Sequence, residues 1–239
     1  MTASYFDLVG FGPEGWGPAL ATATFITLAV ALAGFAGGAV LGGLLAWARI
    51  AGGAVIGGLA QAYSTVMRGI PDLLVIYLFY FGGSAVLGRL AALFGHAGFI
   101  GVPAFLTGAL AIAVVSAAYQ GEVFRGAHAA VARGEIEAAI AIGMSRPQIL
   151  RRILVPLILR YALPGLGNTW QLVLKESALI SVIGLVELLR QAQIAAGSTR
   201  RPFEFYLTAA ALYLLISWVS TRGFALMERR SRRGVGIAI

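Results

Sequence analysis

Long apolar stretches separated by short charged clusters set the pattern of this chain. Residues 15–48 carry no charged side chain, and their apolar core is 20–47. A second stretch, 53–87, is apolar except for Arg68 and Asp72, which flank Pro71. The third lies within 101–120, the fourth at 157–186, interrupted by the adjacent Lys175 and Glu176, and the fifth at 203–226. Each is near or above the roughly 20 residues that cross a hydrocarbon core. The pattern predicts an all-α integral membrane protein with five transmembrane helices, forming a single domain over 1–239. An odd number of crossings puts the termini on opposite sides. In the first span Gly34, Gly38 and Gly42 recur every four residues. Such a small-residue face lets helices approach closely in lipid, and predicts helix packing against a partner subunit.

One polar-rich segment does not fit a span. The run EIEAAIAIGMSRPQILRRILVP, 135–156, lies between the third and fourth stretches. A short helix over 135–142 is expected, with Gly143 in the left-handed position past its end. Ser145 can cap a second helix, with Pro147 tolerated in its first turn. Arg151 and Arg152 then point outward and Ile149, Leu150 and Ile153 form an apolar side, until Pro156 ends the helix. Apolar residues rimmed by charge suggest docking onto another protein. The alternative is a loop that merely supplies positive charge.

Composition agrees with a bilayer setting. The chain is 59% hydrophobic and 12% charged, against about 25% charged in a soluble domain. Its net charge is +8, and 17 of its 18 basic residues are Arg. At this hydrophobicity the charge reads as basic cytoplasmic loops and not as a nucleic-acid surface. With the N-terminus outside, twelve Arg fall in cytoplasmic segments and four outside, which predicts an N-out, C-in orientation. The basic tail, ERRSRRG, suits lipid headgroups. No cysteine is present, so disulfides and thiolate metal sites are excluded. The N-terminus lacks the basic region and cleavage site of a signal peptide. His96 and His128 lie 32 residues apart without a carboxylate motif, so no metal site is expected. No Gly-x-x-x-x-Gly-Lys-Ser/Thr, Gly-x-Ser-x-Gly or His-Glu-x-x-His occurs, so the chain is not expected to be an enzyme by itself.

Ionisable groups inside a bilayer are functional candidates by default. Glu176 can face a cavity and accept a cationic group; a carboxylate matches a guanidinium bidentately. Asn168, Gln171 and Lys175 follow three- and four-residue steps and so share one face, a candidate cavity wall. The alternative for Glu176 is pairing with a membrane Arg for assembly. In MRGIPDL, Pro71 removes a helical hydrogen bond and Gly69 loosens the backbone, which makes the pair a candidate hinge. Asp72 is a second acceptor for a cation, and Arg68 can hold a substrate carboxylate or neutralise Glu176. The alternative there is an internal Arg68–Asp72 ion pair four residues apart. Glu122 and Arg125, three apart, suit an ion pair or a gate contact.

The segment EAAIAIGMSRPQILRRILVP resembles the Glu-Ala-Ala signature of permease subunits in bacterial ATP-binding-cassette importers, at Glu137, Ala138, Ala139, Gly143, Ile153 and Pro156. Val155 stands where that family usually has Leu. YSTVMRGIPDLLVIYLFYFGG, AAYQGEVFRGAHAAVARGEIEAA and RYALPGLGNTWQLVLKESALISVIGLVEL resemble further ordered segments of the polar amino-acid branch, over roughly 63–233. The similarity is greatest to permeases for histidine, lysine, arginine and ornithine and for octopine and nopaline. The resemblance implies that 133–156, with Ser145 and Arg146 opening its second half, is a cytoplasmic coupling helix between helices 3 and 4 that sits in a cleft of an ATPase subunit. It also implies alternating access with substrate contacts on the fourth span, where Glu176, Lys175 and Gln171 lie. Implied partners are two ATPase subunits that bind ATP and Mg, a second permease subunit (a paralogue in preference to an identical copy) and an external solute-binding protein docking near 90–101 and 187–202. The implied location is the bacterial inner membrane. A competing reading is an ion-gradient-driven carrier or channel with Glu176 and Asp72 relaying protons. It leaves the 133–156 element without a purpose.

Overall fold

The computed structural model describes residues 4–13, 15–93 and 101–232. Every element among them is helical. A short helix α1 (Tyr5–Val9) precedes α2 (Gly17–Ala51), whose 35 residues extend for about 50 Å. Next come α3 (Gly53–Gly69), α4 (Asp72–Tyr77), a π turn (Leu78–Gly82) and α5 (Gly83–Leu93). After them lie α6 (Ala104–Ala129), α7 (Arg133–Ala141), α8 (Arg146–Ile149), a second π turn (Leu150–Leu154) and α9 (Val155–Glu176). A 3-10 turn (Ser177–Ile183) leads to α10 (Leu188–Thr199) and α11 (Pro202–Arg232).

The glycine face of the first span packs within the chain, against α6, where a partner subunit was expected. A side chain at Gly34 would strike Ile112; one at Gly38 would lie 2.0 Å from Ser116 Oγ; one at Gly42 would meet Gly121 N at 2.9 Å. Only hydrogen at these three positions lets α2 and α6 touch backbone to backbone. Gln120 Nε2 then donates across the seam to the Phe35 carbonyl at 3.0 Å. Because 34, 38 and 42 meet 112, 116 and 121 in the same order, the two helices run parallel.

The direction of the other long helices follows from their contacts. Gly108 faces Ile180, and Gly165 faces Val123, so α9 with its 3-10 extension runs antiparallel to α6. Gln171 bonds to Ser217 and Thr221, and Arg160 to Ser231, so α9 is also antiparallel to α11. Trp16 packs edge-on against Phe205, and Phe35 against Phe224, so α11 parallels α2. Three parallel helices thus surround one antiparallel helix. Their core joins Val30, Ala31, Ile112, Trp170, Val173 and Ile180.

Among the described residues, four segments are long and apolar enough to cross a membrane: Gly17–Ala51, Asp72–Leu90, Ala104–Ala129 and Pro202–Ser231. The expected fourth span is not among them. It is split at Glu176, where α9 tightens into the 3-10 turn that ends at Gly184, φ +93°. The second span differs too. Pro71 does not kink one helix but separates two: Ile70 is extended (φ −91°, ψ 136°), and Asp72 begins α4 afresh. A proline disfavours the α conformation of the residue before it, and this breaks the helix outright.

In the 133–156 element, α7 begins two residues before the expected start and Gly143 adopts φ +79° as anticipated. Ser145 forms a capping box with Gln148, whose Oε1 accepts from Ser145 N at 2.9 Å. One expectation fails. Pro156 does not end the second helix; the chain passes from α8 through the π turn into α9 without a break. The proline sits in the first turn of α9, and the wide turn before it accommodates the ring and the missing N–H. His96 and most of the outer segment 90–101 lie outside the described residues.

Candidate functional site

The helix break at Pro71 and the helix change at Glu176 bring two carboxylates together. Asp72 occupies the first turn of α4, where the helix dipole favours a negative charge. Glu176 ends α9, is 5% exposed, and lies beside Asp72. Its Oε1 is buried without a partner. Two carboxylates this close repel in a poorly polarisable interior, and either a shared proton or a cation placed between them relieves the repulsion. Among the described residues no Arg or Lys forms an ion pair with either carboxylate: Lys175 points about 100° away along the helix and is exposed.

Tyr119 of α6 completes this corner. Its hydroxyl lies in the field of Asp72, Glu176 and Arg68. Sequence reading missed it, because a single Tyr in an apolar helix carries no distinguishing pattern. Gln171 is engaged elsewhere, donating to the Ser217 carbonyl at 3.2 Å and to Thr221 Oγ1 at 3.1 Å on α11. The polar line Asn168, Gln171, Lys175 therefore runs along a different side of α9 from Glu176.

Arg68 does not pair with Asp72. Its Nε donates to the Ser64 carbonyl at 3.1 Å, and its NH2 group reaches Glu122 Oε1 at 3.5 Å. The break at Ile70 abolishes the helical i, i+4 geometry that an Arg68–Asp72 pair needs. Glu122 also accepts from Arg49 and, as expected, from Arg125 Nε, the latter at 3.0 Å. One carboxylate thus gathers three guanidinium groups from α2, α3 and α6.

The 133–156 element presents its own surface. Glu137, Ala138, Ser145 and Arg146 are exposed, while Ala139 is buried against the element itself. Ile140, Ile142 and Leu150 stand exposed beside them. A second polar cluster lies beyond the 3-10 turn. Glu187 is fully buried and caps α10 by accepting from Leu189 N and Arg190 N, while Tyr213 OH donates to it at 2.9 Å. Burial pushes the Glu187 carboxyl above its usual range, and these hydrogen bonds only partly offset that.

Comparison with known proteins supports a transport role. The chain is 60% identical over 231 residues to the octopine transport system permease protein OccQ of Rhizobium radiobacter, covering 97% of this chain and 98% of that one. It is 47% identical over 229 residues to the nopaline transport system permease protein NocQ of Agrobacterium fabrum, covering 95% and 97%. To the histidine/lysine/arginine/ornithine permease protein HisQ of Escherichia coli it is 34% identical over 221 residues, covering 92% and 96%. Among solved structures, the crystal structure of an amino acid ABC transporter with histidines matches at a TM-score of 0.77 and 32% identity, covering 96% of this chain and all of that one. The methionine transporter MetNI, at 18% identity and a TM-score of 0.72, shares the fold. The model of the binding-protein-dependent transport system inner membrane component matches residues 38–233, and the chain belongs to that family of importer permeases.

Proposed function

We propose that this permease subunit carries a guanidinium-recognising site of an ATP-driven importer for basic amino acids or opines. The observation that carries the proposal is the Asp72–Glu176 pair: two adjacent carboxylates, one oxygen buried and free, and no ion pair from either to a cationic side chain among the described residues. A guanidinium offers parallel N–H donors that can satisfy both carboxylates at once. Relatives named for octopine, nopaline and basic amino acids support the same class.

The chain crosses the membrane five times in this reading, N-out and C-in. The parallel run of α2, α6 and α11 supports it, since the chain must return between each pair, through α3–α5 and then through α9 with its 3-10 extension. The Arg distribution supports the orientation. Glu137, Ala138, Ala139, Gly143, Ser145 and Arg146 then lie on the cytoplasmic side and dock onto an ATPase subunit that binds ATP and Mg. Gly69 and Pro71 mark the joint at which the second crossing bends during alternating access. A second permease subunit and an external binding protein complete the assembly.

The test is substrate-stimulated ATP hydrolysis by the reconstituted complex with its binding protein. Glu176→Gln is expected to abolish stimulation by guanidinium substrates while assembly and basal hydrolysis persist. Unchanged stimulation and unchanged uptake would place recognition in the partner subunit and leave Glu176 a packing residue.

A further inference from the structure

The arginine cluster around Glu122 is not balanced. Arg49, Arg68 and Arg125 bring three positive charges to one carboxylate. The two oxygens of Glu122 cannot saturate three guanidinium forks, each with five donors. Arg49 is held closely, with 14% of its side chain exposed, whereas Arg68 and Arg125 are 38% and 44% exposed. Arg68 makes the longest contact, at 3.5 Å.

This cluster sits next to the acidic pair. Tyr119, in the field of Asp72, Glu176 and Arg68, is one helical turn from Glu122 on α6, about 4.5 Å of rise. The site thus has two poles flanking one turn of α6: carboxylates at Asp72 and Glu176, and under-neutralised guanidiniums at Arg68 and Arg125.

We infer that Arg68 and Arg125 form an anion-binding pole that takes the carboxylates of the ligand and selects guanidino compounds with two carboxylates over those with one or none. The inference rests on the acidic pair taking the guanidinium end. Glu122 occupies part of the pole, as an internal stand-in for a ligand carboxylate. When a ligand's carboxylates reach Arg68 and Arg125, Glu122 keeps Arg49 and releases the weaker contact.

The test is direct binding to the detergent-solubilised permease–ATPase complex without binding protein, whose own selectivity would mask the pole. Agmatine carries a guanidinium and no carboxylate, arginine one carboxylate, and octopine two. Wild type is expected to bind them with affinity rising in that order. Arg68→Gln should weaken octopine about tenfold, the loss of one charge-assisted contact, and change agmatine less than twofold. Glu122→Gln should act oppositely and tighten octopine relative to agmatine, since it frees the pole. Arg125→Gln gives the same reading as Arg68→Gln should that variant fail to assemble. Equal weakening of all three ligands, or none, in the arginine variants overturns the inference and makes the cluster a clamp between helices. A Glu176→Gln variant separates the two ideas. If it leaves agmatine binding intact, the guanidinium site is wrong whatever the arginine variants show; if it abolishes agmatine binding while Arg68→Gln shows no dependence on carboxylate number, only the anion pole fails.

Discussion

At the scale of single residues, the structure depends on atoms that are missing as much as on those present. Gly38 has no room for a side chain, and its neighbours are Ser116 and Gln120 on a helix that cannot retreat. Gly38→Leu is expected to destabilise the fold by about 3 kcal/mol or more through overpacking, read as a lower thermal unfolding midpoint in detergent. Glu187 illustrates the opposite case, a buried group that must be served. Tyr213→Phe removes one of its donors and should cost about 1–3 kcal/mol by the same measurement. The sign of the pH effect follows from burial. The folded state holds the Glu187 proton more tightly than the unfolded chain, whose value is near 4.5. Stability contributed by this group therefore falls as pH rises from that value through the higher folded one. Glu187→Gln should flatten this part of the midpoint-versus-pH curve, while a slope identical to wild type would place the titration elsewhere. The glycine face could be read from its four-residue spacing. Glu187 could not, since its burial depends on α2 and α11 closing over the start of α10.

At the scale of elements, chain order explains which features were legible. The α7–Gly143–α8 unit obeys local rules: a capping serine, a left-handed glycine and a helix period all act within ten residues. Gly143→Val should strain a φ of +79° and displace α8. The expected outcome is a complex that still binds ATP but shows hydrolysis uncoupled from substrate. Full coupling with normal assembly would remove this element from signal transmission. Local rules misjudged the prolines, and for one reason. Whether a proline bends a helix, breaks it or continues it depends on what the neighbouring turn can absorb. Before Pro156 a π turn widens and the helix survives, whereas at Pro71 nothing compensates and the helix stops. The acidic pair was legible as two unusual residues, Asp72 and Glu176, but their meeting was not. They are separated by more than a hundred residues and joined only because α4 and the end of α9 both pack on α6.

At the scale of the whole molecule, the antiparallel placement of α9 among three parallel helices supports the five-crossing reading, in which the two ends of the chain emerge on opposite sides. A chain without cysteine makes this directly measurable, since any introduced thiol is unique. Ser4→Cys should react with an impermeant maleimide added outside intact cells, and Ser145→Cys only after the membrane is opened. Labelling of both from one side would overturn the five-crossing topology. The sequence already offered a fourth span at 157–186 and, through its Arg distribution, an orientation; the packing supports the span by setting α9 antiparallel to α6 and α11, although that stretch is split at Glu176 and is not among the four long apolar helices of the described residues. The segment α3 has a consequence of its own. It is a 17-residue rod with a joint at each end, Gly52–Gly53 before it and Ile70–Pro71 after it, and only Ala60 and Ser64 along it are buried. A rod pinned at two joints cannot lengthen, but it can roll about the line between them like the connecting link of a crank. Because Arg68 projects from its end, such a roll swings that guanidinium sideways while the bundle of α2, α6, α9 and α11 stands still.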